Sequence, residues 1–223
     1  MDPITLANLA PLMERTAGHA GIKLALISGS VALAPVASIL SRICPDCTLL
    51  PQPAAEANPE QLADAILASL AAEADVINLS ESLPSSFSQG AAQLREALNY
   101  AARDGVLVVA PAGTASLAGH PWVIPVAACN SNGLPLRGSN VARPIGGQGI
   151  LAPGVDGASA CPFVAATLAL LRAEFSLVRA RELKQALLVA AQLARPRAIV
   201  PPLLNAAGAW QLLDAALNQQ QVA

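Results

Sequence analysis

This chain has little charge. Asp, Glu, Lys and Arg make up 13% of its 223 residues and leave a net charge of −2. The basic residues are scattered, without the clustered surface that holds a phosphate backbone, which excludes a nucleic-acid partner. No run reaches the roughly eighteen uncharged apolar residues of a membrane span. The opening stretch MDPITLANLAPLMERTAG has neither a basic region nor a clean hydrophobic segment, so it does not read as a secretory signal. Four cysteines in a chain of this size are too few for a disulfide scaffold. Histidine is scarcer still: His19 and His120 are the only two, and no other side chain has an ordinary pKa suited to a general base near neutrality. The expectation is a soluble, cytoplasmic protein with no cofactor and no metal.

What is abundant is apolar. Hydrophobic residues reach 54%, enough for a sizeable core with uncharged surface left over for a partner or a peptide. Short apolar runs alternate with amphipathic segments, the pattern of a mostly parallel sheet with helices on both faces. IKLALIS (Ile22 to Ser28), CTLLPQ, ADVINLS (Ala74 to Ser80), VLVVA (Val106 to Ala110), WVIPVAA and GQGILAPG read as strands. Helices are expected at Thr5 to Arg15, from Pro35 through PVASILSRI, and at Pro59 to Ala72, where Asn58 can cap the N-terminus. Further helices are expected at Gln89 to Arg103, Cys161 to Glu174, Ala180 to Ala191 and Leu203 to Leu217. Repeats, low-complexity stretches and linkers are absent, so residues 1–223 are expected to form one α/β domain.

Several of these segments carry more than periodicity. ADVINLS, ALNYAARDGVLVVAPAGT, WVIPVAACNSNGLPLRGSN and GILAPG occur in that order, and in that order they resemble the core of the subtilisin-like serine proteases (subtilases). The likeness runs from about Ile22 to Ala190. QGILAPG, LPLRGSN and VASIL resemble the subtilases that mature cyanobactins, which are ribosomally made, modified peptides, more than the secreted subtilisins. The resemblance implies a three-layer α/β fold, a role in ribosomal peptide natural-product maturation, and a precursor peptide or a co-encoded maturation enzyme as partner.

It also implies where a catalytic triad would sit. The family's chemistry needs an Asp ending the first strand, a His opening the next helix, a Ser on a later helix and an Asn beside the oxyanion. LALISGSV matches the family's VAVIDSGV and puts Ser28 at the Asp. VASIL matches the end of HGTHVASIL and puts Ala32 at the His, while VVAPAGT matches VVAAAGN and puts Thr114 at the Asn. With Pro162 as anchor, DGASACPFVAA matches GTSFAAPHVAG and puts Ala158 at the Ser. The matched positions carry no acid, no base and no nucleophile. The loops between them are short as well: Val31 runs almost directly into the helix near Pro35, and Gly154 lies just before Ala158. The expectation is a pseudoprotease, with a rebuilt hydrolase or acyl-transfer enzyme, or a structural subunit of an oligomer, as the alternatives.

Rebuilt chemistry would have to use Ser159 or Cys161, which flank the lost position near Asp156, together with His120 or His19. A helix turns Ser159 about a quarter-turn from residue 158. His19 precedes the first strand and so belongs to the wrong sheet edge, whereas His120 follows the AGT turn and could approach the cleft. The CPDC stretch, Cys44 to Cys47, falls at a helix C-terminus rather than the N-terminus that activates a thiolate. Buried thiols are the expected reading there, with a disulfide as the runner-up and metal binding or redox catalysis as the weakest alternative. By resemblance, the segment after INLS lines the family's substrate channel. Ser80, Glu81, Ser82, Ala112 and Gly113 are therefore the candidate peptide-binding residues, pairing an extended peptide with an edge strand.

Overall fold

A computed structural model describes residues 1–54, 58–80, 90–113, 115–136, 149–194 and 201–222. Its centre is a six-stranded, all-parallel sheet. The strands are β1 (Lys23–Ser28), β2 (Thr48–Pro53), β3 (Val76–Leu79), β4 (Leu107–Pro111), β5 (Val123–Cys129) and β6 (Ile150–Pro153). Their spatial order is β2-β1-β3-β4-β5-β6. The uninterrupted apolar runs follow from burial on both faces. On β1, Leu24 and Leu26 join one core cluster while Ala25 and Ile27 join the other. Likewise on β4, Leu107 and Val109 face one way and Val108 and Ala110 the other. β2 carries Pro51 and Pro53, which a strand tolerates where it borders the sheet and one side of its backbone needs no ladder partner.

Helices α3 (Ser30–Ile43), α7 (Gly157–Glu174), α8 (Ala180–Ala194) and α9 (Ala206–Val222) lie on the first face, and α4 (Pro59–Ala71) and α5 (Ala91–Asp104) on the second. The short turns α1 (Pro3–Leu6), α2 (Ala10–Met13) and α6 (Ala115–Ala118) complete the described elements. α7 crosses β3, β4, β5 and β6 and packs on α3. It is buried from Ala160 to Leu171. Its alanines (Ala160, Ala165, Ala166 and Ala169 among them) let the helix lie close on the sheet.

α9 begins three residues later than expected and runs on to Val222, and three other differences have a local reason. The segment from Thr5 to Arg15 is two single turns, because Asn8 takes φ 50° between them and its amide donates to Asn205 Oδ1 at 2.8 Å. α3 begins at Ser30, straight after Gly29, so Pro35 is inside the helix rather than at its start. α7 begins at Gly157, four residues before Cys161, because Asp156 supplies a cap that an apolar-run reading overlooks. Asn58 does cap α4, accepting from Gln61 N at 2.8 Å. Among the described residues, no helix is long and apolar enough to cross a membrane.

Candidate functional site

In open parallel sheets a ligand crevice forms at the C-terminal strand ends, where the strand order reverses. Here the reversal falls at β1, whose neighbours are β2 and β3. Ser28 ends β1 there, α3 departs two residues later with Ala32 in its first turn, and Ser80 follows β3. Beyond them, Ala112 and Gly113 turn the chain after β4. α7 brings its N-terminus to the same place: a Cβ on Gly157 would lie 3.0 Å from Pro111 Cβ. The matched positions Ser28, Ala32 and Ala158 thus fall on one sheet edge, while Thr114 lies outside the described residues.

Among the described residues, the Ser28 and Ser80 hydroxyls at this edge are both engaged. Ser28 is fully buried, and its Oγ donates to the carbonyl of Gly29 at 3.2 Å. Ser80 is buried too; its Oγ accepts from Asn78 Nδ2 at 2.6 Å and reaches the carbonyl of Ala158 at 3.4 Å. That last contact has a cause in the sequence. Pro162 has no N–H to give to residue i−4, so the Ala158 carbonyl loses its helical partner, and the Ser80 hydroxyl takes its place.

Ser159 has a structural task. Its amide donates to Asp156 Oδ1 at 2.8 Å, while its Oγ donates to the Asp156 carboxylate and accepts from the amides of Val155 (3.0 Å) and Asp156 (3.1 Å). This is a capping box closing the N-terminus of α7. Ser159→Ala is expected to cost about 1 kcal/mol in urea unfolding, with no loss of any reactivity toward serine-directed probes. Cys161 is fully buried, and that burial, with Asp156 nearby, pushes its thiol well above the usual range.

His120 is not at this edge. It precedes β5 and so belongs to the N-terminal side of the sheet, where the adjacent Trp122 donates through Nε1 to the Val106 carbonyl just before β4 (2.7 Å). The expectation that it could approach the cleft is corrected: the α6 turn carries the chain back across the sheet first. Trp122 N donates to His120 Nδ1 at 3.2 Å, which leaves Nε2 to donate to Asn99 Oδ1, also at 3.2 Å. Burial, then repulsion from Lys184 and Arg95, holds its pKa below the ordinary value. Lys184 is the residue that sequence reading missed. It is buried, and its ammonium donates to the carbonyls of Pro121 (2.6 Å) and Trp122 (2.9 Å), with Val123 at 3.5 Å. The available signal was its place between Leu183 and Leu187 on the apolar side of α8.

The peptide-binding candidates divide. Ser80 and Ala112 are buried, and their amides donate to the carbonyls of Ile27 (2.9 Å) and Val126 (2.8 Å). Gly113 is exposed, and Glu81 and Ser82 lie outside the described residues. On the other side of the α7 N-terminus lies a groove of about 610 Å³, lined by Met1, Leu6, Ile39, Leu136, Val155 and Phe163 among others. Val155 is 85% exposed on its rim, which leaves apolar surface facing solvent. Among the described residues, no group of three or more His, Cys, Asp or Glu side chains is placed to hold a metal ion.

No protein-family model and no curated protein matches the sequence. Solved structures do. The patellamide maturation protease PatA superposes with a TM-score of 0.76 at 26% identity, over 89% of this chain and 98% of that one. The PatG macrocyclase domain gives 0.78 at 20% identity, over 94% and 96%. A lanthipeptide protease gives 0.78 at 17%, over 95% and 94%. The fold is therefore the subtilisin-like α/β fold, and the structural neighbours include the subtilisin-like proteases of cyanobactin maturation.

Proposed function

We propose that this chain is a subtilisin-like protein without protease activity that binds a precursor peptide, or scaffolds a maturation enzyme, in ribosomal peptide biosynthesis in the cytoplasm. The observation that carries the reading is at the N-terminus of α7. The position matched to the nucleophile is Ala158, and the hydroxyls around it, on Ser28, Ser80 and Ser159, are all engaged in backbone contacts or capping. The apolar groove beside this end supports the binding half of the proposal, since peptide sites join main-chain contacts to pockets for apolar side chains. A rebuilt hydrolase is disfavoured by the burial of Cys161 and by the placement of His120 across the sheet.

Incubating the purified chain with a fluorophosphonate probe and with a panel of precursor peptides tests both halves. No labelled serine and no cleavage are expected, together with calorimetric binding of one peptide or of a co-encoded enzyme. Site-selective labelling would overturn the inactive reading, and binding of neither partner by folded protein would overturn the binding reading. Val155→Asp should weaken the binding about tenfold, the 1.4 kcal/mol of one well-placed apolar contact, and leave the circular dichroism unchanged. Ala158→Ser should produce no turnover, because Ser28 and Ala32 supply neither an orienting acid nor a base.

A further inference from the structure

The Cys44–Cys47 pair stands apart from the site above, and its geometry is that of a pair rather than of two packed thiols. Cys44 is the C-cap of α3, and the amide of Cys47 donates to the Cys44 carbonyl at 3.2 Å, closing a turn over Pro45 and Asp46. Such a turn holds its outer Cα atoms within about 7 Å, and a disulfide needs about 4.4–6.8 Å. The two side chains are already within hydrogen-bonding reach of each other. The facing loop is fitted to the second sulfur: a Cβ on Gly18, which takes φ +83°, would collide with Cys47 Sγ. The backbone of His19 also hydrogen-bonds to that sulfur. The loop is pinned in place, with Asp46 N donating to the Ala17 carbonyl at 3.1 Å and Thr48 Oγ1 to that of Ala20 at 2.8 Å.

We propose that Cys44 and Cys47 form a dithiol–disulfide site that reacts with low-molecular-weight disulfides, with Cys47 as the attacking sulfur and Cys44 as the resolving one. The polarity is the reverse of a pair placed at a helix N-terminus. Cys44 caps the negative end of α3 and so keeps its proton. That proton has two acceptors within reach, the Leu40 carbonyl at 3.2 Å and the Cys47 sulfur. Given to Cys47, it lowers the pKa of that thiol, against its burial and the charges of Asp46 and Asp75.

The Cys47 thiolate attacks one sulfur of the small disulfide, forming a mixed disulfide and expelling one thiolate, which takes a proton from solvent. Capping Cys47 removes its negative charge and with it the main interaction holding the proton on Cys44. Cys44 then releases that proton to solvent and attacks the Cys47 sulfur, and the second small thiolate leaves. Two protein thiols are oxidised, and one disulfide is reduced to two thiols.

The test uses the native full chain and glutathione disulfide, followed by alkylation and peptide mapping. A Cys44–Cys47 crosslink should form while Cys129 and Cys161, 2% and 0% exposed against 9% at the attacking Cys47, stay reduced. Cys44→Ser should stop at a glutathione adduct on Cys47, and Cys47→Ser should leave Cys44 unmodified. Native wild-type protein that forms no crosslink, under conditions where the urea-unfolded chain does, would overturn the proposal. So would an adduct on Cys44 in the Cys47→Ser variant.

Discussion

Leu168→Ala is expected to lower the unfolding free energy by about 3–4 kcal/mol. Leu168 is fully buried in the middle of α7, in the cluster that holds Leu26, Val76, Ile124 and Val126. Truncation removes its transfer free energy, and the size of the cavity term depends on whether neighbours can move in. Here they cannot easily do so. The adjacent residues of the helix include Ala165, Ala166, Thr167 and Ala169, too short to reach across the gap, and the sheet behind them is hydrogen-bonded into register. That places the substitution toward the costly end of the leucine-to-alanine range. Against a total stability of about 5–15 kcal/mol for a typical native protein, the loss corresponds to a fall in Tm of about 10 °C for a chain of this size. Leu177→Ala is the control: that side chain is 97% exposed, and no measurable change is expected. Urea unfolding of the three proteins decides it. A loss at Leu168 no larger than at Leu177 would mean that α7 is not the packed centre of this core.

The parts of the fold that could be read from sequence are those where one property repeats. β1, β4 and β5 are legible because burial on both faces demands unbroken apolar runs, β3 because only Asn78 interrupts one, and α8 because its apolar residues recur at helical spacing. Helix beginnings were less legible. At Gly157–Ala160 the first turn of α7 has small side chains and no periodic bulk, and what starts the helix is the Asp156–Ser159 capping box.

The candidate site was legible only as positions. The resemblance brought Ser28, Ala32 and Ala158 to one edge, and the strand order places them there. The partners of the surrounding groups were not legible, because they come from distant residues. Ser80 reaches Ala158, 78 residues on, to serve a carbonyl that Pro162 left unpaired. His120 sits close in sequence to the turn after β4, yet α6 carries it to the far edge. Sequence proximity overestimated what it could touch.

Lys184 supplies the second large effect, and it should appear as a pH dependence. Burial pushes its pKa down to about 8 from an ordinary 10.5. Below pH 8 the ammonium is charged in both the native and the unfolded chain, and the full burial penalty is present. Between 8 and 10.5 the native protein has released its proton while the unfolded chain still holds one. The unfolded state then binds more protons, so the unfolding free energy rises with pH. The full gap corresponds to about 3 kcal/mol at 1.36 kcal/mol per pKa unit. Water in the groove lined by His120, Trp122, Arg181 and Gln185 screens part of it, so a gain of about 2 kcal/mol is expected. His120, held below its ordinary pKa, is neutral throughout this window and does not contribute to the slope. Lys184→Met isolates the effect, since other titrating groups cancel in the difference between the two proteins. At neutral pH the variant both relieves the buried charge and deprives the carbonyls of Pro121 and Trp122 of their donor, two changes that oppose each other. Above pH 8 the wild type alone gains, because a neutral amine still donates to both carbonyls without the cost of charge. Urea unfolding of both proteins at pH 7, 8, 9 and 10 should therefore show wild type gaining on the variant, mostly between 8 and 10. A flat difference across that range would mean that Lys184 keeps its ordinary pKa and that its ammonium is hydrated rather than buried against the carbonyls before β5.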